Sequence, residues 1–328
     1  LDTVGFDGGS KAATQALLEI AAAEGASVTV LTSTPARWAN APVRCRRLRE
    51  FGILQGRLRG IPYLLRHIVV LINLLLALAE RHYDTLIGAA TPTADLALYF
   101  IAPFGRWRLI QLVHGDVPYS RLVARLLPRA SHVFCLPGAR PTVDALVSTL
   151  PPRRRPVIEN FLNGLGAGRW PSPADHRRPR ILWCASLLRW KGLDTLMEAL
   201  SQLPADGRPE ASICYLRPRN VRLAVTRAPR SMAGVQWHEA PSNLDEIRAA
   251  CTIFVSTSRC EPFGLSILEA LAAGLCVVIP IDGAWWDTQL VANVDCLKYP
   301  AGDTAALAAV LRRLHRDLDV QIAHLRLA

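Results

Sequence analysis

Apolar positions along the chain fall into two series in which short β-branched runs alternate with stretches of helical period. After the glycine-rich "DGGS", helical spacing predicts a helix over about 10–23, and "SVTVL" predicts a strand over 27–31. The basic, irregular "RCRRLREFGILQGRLRG" comes next, then an apolar helix over 62–80. The strand "TLIGA", a helix over 93–101, the strand "RLIQLVHG", a further helix, the strand "HVFCL" and a helix over 141–149 complete the first series. Pro, Gly and charge break the period over 163–179, which reads as a linker. The second series runs through strand "RILWCAS", helix 193–202, strand "ASICYL", a strand near "VQWHEA" and helix 243–250. Strand 252–257, helix 264–273, strand 276–281 and a closing helix over 303–316 end it. Such alternation predicts the α/β class with parallel sheets. Two Rossmann-like domains, 1–162 and 163–328, are expected to face each other across a cleft, with ligands outside the carboxyl ends of the strands. The opening "LDTVGFDGG" reads as the exit of a first strand ending near Leu1, so part of that strand is expected to be missing.

Composition adds a charge asymmetry. Of 328 residues, 51% are hydrophobic, and the formal net charge is +11. Residues 1–170 carry 20 Lys+Arg against 11 Asp+Glu, a balance of +9, while 171–328 carry 18 against 16, or +2. A basic first half suits an anionic membrane surface or a polyphosphate ligand; 35 of the 38 basic residues are Arg, so coding bias accounts for the excess equally well. Eight cysteines form no C-x-x-C pair, and most lie in apolar runs, which favours a reducing, cytoplasmic setting; the basic first half adds the expectation of a peripheral place at the inner face of a membrane. The longest apolar run, "IVVLINLLLALA", is 12 residues and is interrupted by Asn73; it reads as too short to span a bilayer and as a buried helix. "GFDGGS" is not the dinucleotide fingerprint, which argues against a nicotinamide enzyme. No motif or interleaved aromatic pattern points to nucleic acid.

The chemistry concentrates in "SRCEPFGLSILEALAAGLCVVIP", a loop and helix between two β-branched runs. With the helix starting near Gly264, the N–H groups around Phe263, Gly264 and Leu265 lack intrahelical partners and form an anion site. Leu265, Leu268 and Ala272 are expected to face the core. Glu261 lies in the loop, and Glu269 leans back towards it from the helix, because helical side chains tilt towards the N-terminus. Carboxylates suit vicinal hydroxyls, so a ligand with both diphosphate and sugar is expected. Taken alone, two glutamates at this spacing read as solvated surface; the Pro-Phe-Gly between them, the flanking strands and Gly274 as helix stop favour a site.

This stretch resembles the donor-site signature of retaining glycosyltransferases of family 4, and "CASLLRWKGLDTLMEAL" resembles that family's Gly-Arg-Leu…Lys-Gly-x-Asp block. The resemblance implies the GT-B fold and a nucleotide-sugar donor. It implies that Glu261 contacts the transferred sugar, Glu269 the ribose, and the backbone at Phe263, Gly264 and Leu265 the phosphates. Lys191 would neutralise the leaving diphosphate. Where the family has Gly-Arg, this chain has Ala185-Ser186, and Arg189 is the expected substitute. Gly8 and Gly9 resemble the family's glycine pair at the diphosphate, and His114, after "RLIQLV", matches its histidine near the reaction centre. The implied reaction is hexosyl transfer with retention to a glycan or lipid-linked acceptor, with no cofactor or metal required. The lone Asp-x-Asp, Asp317 to Asp319, reads as solvated. The absent motif arginine supports the alternative of a non-catalytic binding or partner subunit with a degenerate nucleotide site.

Overall fold

The computed structural model describes residues 1–3, 8–39, 41–49, 60–166, 170–174, 178–218 and 223–326, with side chains up to residue 316. They form two compact units, one over Leu1–Gly166 and one over the described residues from 170 onward.

The first unit contains α1 (Gly9–Ala23), β1 (Thr29–Thr32), β2 (Arg44–Arg47), α2 (Gly60–Glu80), β3 (Thr85–Gly88) and α3 (Leu96–Ile101). β4 (Arg108–Val113), α4 (Arg121–Leu126), β5 (His132–Cys135), α5 (Arg140–Ser148) and β6 (Ile158–Asn160) follow. β3, β4, β5 and β6 form a parallel sheet in that order, and β1 pairs with β2, also parallel. Residues 1–3 sit between the two sheets. The Asp2 N–H donates to Leu31 O, the Leu1 amine donates to Ile87 O, and the Ala89 N–H donates to Leu1 O. These residues therefore fill a strand position, and His114 follows the carboxyl end of β4. Leu96, Val113, Leu127 and Val133 lie at the centre of the core.

The second unit contains β7 (Arg180–Ser186), α6 (Leu193–Ser201), β8 (Glu210–Leu216), β9 (Val235–Glu239), α7 (Leu244–Ala249) and β10 (Ile253–Val255). α8 (Leu265–Ala272), β11 (Cys276–Ile281), α9 (Trp285–Gln289), β12 (Leu297–Pro300) and α10 (Thr304–Arg326) complete it. All six strands are parallel, in the order β12-β11-β10-β7-β8-β9. Numbered from β7, that is the Rossmann order, with its switch point between β7 and β10. Alternate residues of β7 serve opposite faces. Ile181 and Trp183 join a core with Leu196 and Leu200 of α6 and Leu307 of α10, while Leu182 joins Ile267 and Ala270 of α8.

Three expectations are corrected. The core face of α8 is Ile267 and Ala270, with Ala273 beyond its end, whereas Leu265, Leu268 and Ala272 are only half-buried. Helix α2 is a continuous 21 residues, is long and apolar enough by composition to cross a bilayer, and buries only Arg66, His67, Val70, Leu74 and Ala77. The basic region after residue 43 holds a strand, β2, whose side chains are largely exposed, so no alternation announced it.

Candidate active site

Two loops leave the carboxyl ends of β7 and β10, where the strand order reverses. The first, 187–192, is held by backbone bonds from Arg189 N–H to Ala224 O, Thr226 N–H to Leu187 O and Arg259 N–H to Trp190 O. Thr257 Oγ1 donates to Lys191 O at 3.0 Å and accepts from Trp183 Nε1 at 3.0 Å, tying both loops to β7. Gly192 makes this approach feasible: its φ is +74°, and a Cβ there would lie 2.0 Å from Thr257 O. Asp194, at the start of α6, accepts from Thr226 Oγ1 at 2.9 Å and pairs with Arg230.

Lys191 and Glu261 form an ion pair, with side chains 17% and 16% exposed. The Lys191 ammonium also lies 4.1 Å from the centroid of the Trp190 ring. Gly264, at φ +81°, turns the chain into α8; a Cβ there would meet Ile267 Cδ1 at 3.0 Å and Glu261 Cγ at 3.1 Å. Trp286 Nε1 donates to Gly264 O at 3.2 Å, and the Trp286 ring packs on buried Phe263 with centroids 5.5 Å apart. The Ile267 N–H returns to Gly264 O, so the helix end presents the Leu265 and Ser266 N–H groups. A positive helix end beside a lysine–glutamate pair can take an anion at the lysine and hydroxyls at the glutamate.

Glu269 points to a partner that sequence reading missed. Arg248 of α7, 6% exposed, donates to Glu269 Oε2 at 2.7 Å and to Asp245 Oδ1 at 2.8 Å. Asp245 also accepts from Ser172 Oγ at 2.7 Å, a bond that leads in holding its carboxyl below the usual range. Burial pushes the Glu269 carboxyl up, and Arg248 opposes that shift. The sequence signal was slight: an arginine three residues after an aspartate reads as an exposed helical pair.

In the first unit, the His114 ring lies 3.2 Å from Thr14 Oγ1 of α1, through Nε2, and edge-on to Phe161 at 5.3 Å. Its Nδ1 is buried without a partner among the described residues, and burial lowers the imidazole pKa to about 4. Gly8 caps α1 with extended backbone and Gly9 opens it, so neither needs a positive φ. Lys11, one turn on, is buried and paired with Asp2 at 3.1 Å.

The structure thus brings Lys191, Glu261, Phe263, Gly264 and Leu265 together and places Glu269 four residues along the same helix. Gly8, Gly9 and His114 are gathered around α1 in the first unit. Arg189 is exposed, and its side chain makes no polar contact with a described residue. Residues 4–7 of the glycine loop, 167–169 and 175–177 of the linker, 219–220 after "YLRP" and the side chains of Asp317 and Asp319 lie outside the described residues. Among the described residues, no group of three or more His, Cys, Asp or Glu is placed to hold a metal ion.

Residues 178–317 match the family model described as "Glycosyl transferases group 1". The chain is 28% identical over 248 residues to a glycogen synthase of Alkalilimnicola ehrlichii, covering 62% of this chain and 50% of that protein. It is 27% identical over 240 residues to the alpha-maltose-1-phosphate synthase of Mycolicibacterium smegmatis, covering 66% and 61%. The matches therefore span about half to three fifths of those relatives. Anabaena HepE, solved with UDP and glucose, superposes with a TM-score of 0.70 at 16% identity over 99% of this chain and 91% of that one. The sucrose-phosphate synthase of Thermosynechococcus elongatus superposes at 0.73 with 17% identity, over 99% and 91%. The fold is that of the GT-B glycosyltransferases, with Rossmann-like parallel sheets.

Proposed function

We propose that this chain is a glycosyltransferase that takes a hexosyl group from a nucleotide-diphosphate sugar, with retention of anomeric configuration, to a glycan or lipid-linked acceptor. The observation that carries the reading is the Lys191–Glu261 pair beside the α8 N-terminus, at the strand-order reversal of a six-stranded parallel sheet. The match of 178–317 to a glycosyltransferase family supports it. A UDP-sugar is the favoured donor, because HepE, a structural neighbour, was solved with UDP-glucose.

In this reading the bond from the anomeric carbon to the diphosphate breaks, and its electron pair stays on the phosphate oxygen. Lys191, Arg189 and the first-turn N–H groups of α8 meet that charge, an electrostatic contribution usually the largest in such catalysis. The acceptor hydroxyl attacks from the leaving-group side, and its proton passes to the departing diphosphate. Lys191 releases Glu261 as it turns to the phosphate, which frees that carboxylate for the sugar hydroxyls. Glu269, held by Arg248, takes the ribose. His114, neutral at neutral pH, has a buried Nδ1 able to bond a ligand hydroxyl. The scheme asks for no metal, so a chelator should leave transfer unchanged.

The test is to incubate the chain with UDP-glucose and an oligosaccharide or polyprenyl-phosphate acceptor. UDP release coupled to a new glycosidic linkage, of α configuration from an α-linked donor by proton NMR, is expected. Nucleotide binding with no transfer to any acceptor, and no release of UDP, would favour a binding subunit. Ser186, in place of the family's arginine, is the observation behind that second reading.

A further inference from the structure

Helix α2 is apolar on two opposite faces. Val70, Leu74 and Ala77 turn inward with Arg66 and His67, and the helix packs on α3. On the other side Ile61, Leu64, Leu65, Ile68, Ile72, Leu75 and Leu76 are each between 45% and 76% exposed. At 3.6 residues per turn these seven fall within an arc of about 120°, in a stripe about 22 Å long. Charge does not interrupt it: Arg66 and His67, the only ionisable residues from 61 to 79 besides the Tyr63 phenol, face inward or sideways. Solvent-facing stripes of this size mark interaction surfaces.

The helix is not free to span a bilayer. Arg66 donates to Thr3 O at 2.8 Å, Tyr63 OH to Thr93 O at 2.8 Å, and Asn73 Nδ2 to Arg49 O at 3.2 Å, which anchors it along its length to the fold. The stripe is therefore offered outward, to an apolar partner. Exposed Arg47 and Arg49, from β2 and the segment after it, line one open surface cavity with Asn73 and Leu76 of α2; Arg46 and Glu80 also line it but pair with each other, which leaves Arg47 and Arg49 as its excess charge. Residues 1–170 as a whole carry the +9 excess. A second copy docked on this stripe by two-fold symmetry would bring its own arginines near the same arginines. Anionic headgroups above acyl chains match both parts at once.

We infer that the exposed face of α2, rimmed by Arg47 and Arg49, is the surface by which the chain docks in the plane of an anionic lipid bilayer. The helix lies in the interface, with its aliphatic stripe at the level of the acyl chains and the arginines among the headgroups. A membrane-held acceptor would then need no soluble encounter.

The experiment is co-sedimentation of the full chain, without sugar nucleotide, with vesicles of phosphatidylcholine alone or mixed with phosphatidylglycerol, at low and high salt. Binding to the mixed vesicles at low salt is expected, weaker by about tenfold for phosphatidylcholine alone. Ile68→Asp with Ile72→Asp should weaken binding about tenfold or more while leaving the thermal melt unchanged. If that pair disturbs folding, Leu65→Ser with Ile72→Ser is the milder replacement. Arg47→Glu with Arg49→Glu should weaken binding and flatten its salt dependence. No sedimentation with mixed vesicles at low salt, or undiminished binding by the aspartate or serine variants, would overturn the inference. So would a lipid-free dimer that Ile68→Asp with Ile72→Asp dissociates in ultracentrifugation, which would assign the stripe to a second copy. None of these readings depends on transferase activity.

Discussion

Individual side chains at the β7–β10 switch hold one another's charge in two ion pairs, Lys191 with Glu261 and Arg248 with Glu269. Lys191 and Glu261 are both mostly buried, so each keeps the other from being a lone desolvated charge. Lys191→Ala should lower transfer by about a hundredfold or more, read as kcat at saturating donor, because the cation that meets the leaving charge is gone. Arg248 acts through Glu269 as a positioning residue. Arg248→Ala leaves that carboxyl buried without its cation, so its pKa, already raised by burial, rises further. The expected result is a donor KM raised about tenfold, with the acid limb of kcat/KM moved to higher pH and partly restored in Arg248→Lys. An unchanged KM and pH profile would make the pair purely structural. Gly192→Ala, with its Cβ 2.0 Å from Thr257 O and a φ of +74°, should destabilise the second unit by more than about 1 kcal/mol in denaturant unfolding. Lys191, Glu261, Glu269 and Gly264 stand out through the resemblance of their stretches to a donor-site signature, and the structure brings Lys191, Glu261 and Gly264 together. Arg248 was not legible, because its role comes from tertiary proximity of two helices and from burial, which spacing along one helix does not encode.

At the scale of elements, the strands read best where burial is two-sided. "RILWCAS" coincides with β7, whose neighbours cover it on both sides. β2, β6 and β12 went unread for physical reasons: the first two expose most of their side chains, and all three have at most four residues. Helix α2 shows the complementary failure. Its period is plain, but a helix apolar all round does not say which face turns inward; the inward face is settled by Arg66, Tyr63 and Asn73 finding backbone partners. The α8 N-terminus is positioned by Gly264 and clamped by Trp286, so Trp286→Phe, which removes the 3.2 Å bond to Gly264 O, should weaken UDP binding several-fold while costing only about 1 kcal/mol of stability. Calorimetric titration and denaturant unfolding of the same variant separate the two effects.

For the whole molecule, pH is the accessible probe of the first unit. Burial lowers His114 and His67 to about 4, so both are neutral when folded at pH 5 and charged when unfolded. The unfolded chain then binds more protons, and stability falls as pH drops from about 6.5 towards 4. Asp95, raised by burial, acts in the opposite sense and removes part of that slope. His114→Gln should shrink the loss between pH 7 and 5 by about 2 kcal/mol in urea unfolding, while an unchanged loss would mean that His114 is hydrated when folded.

The central claim is that the second unit holds a nucleotide diphosphate at Lys191, Glu269 and the α8 N-terminus. Calorimetric titration of the chain with UDP, and with GDP in parallel, tests it most directly. Saturable binding of one nucleotide, weakened about tenfold or more in Lys191→Ala and in Glu269→Ala, is the predicted result. Binding that neither substitution weakens, or no binding of either nucleotide, would contradict the account.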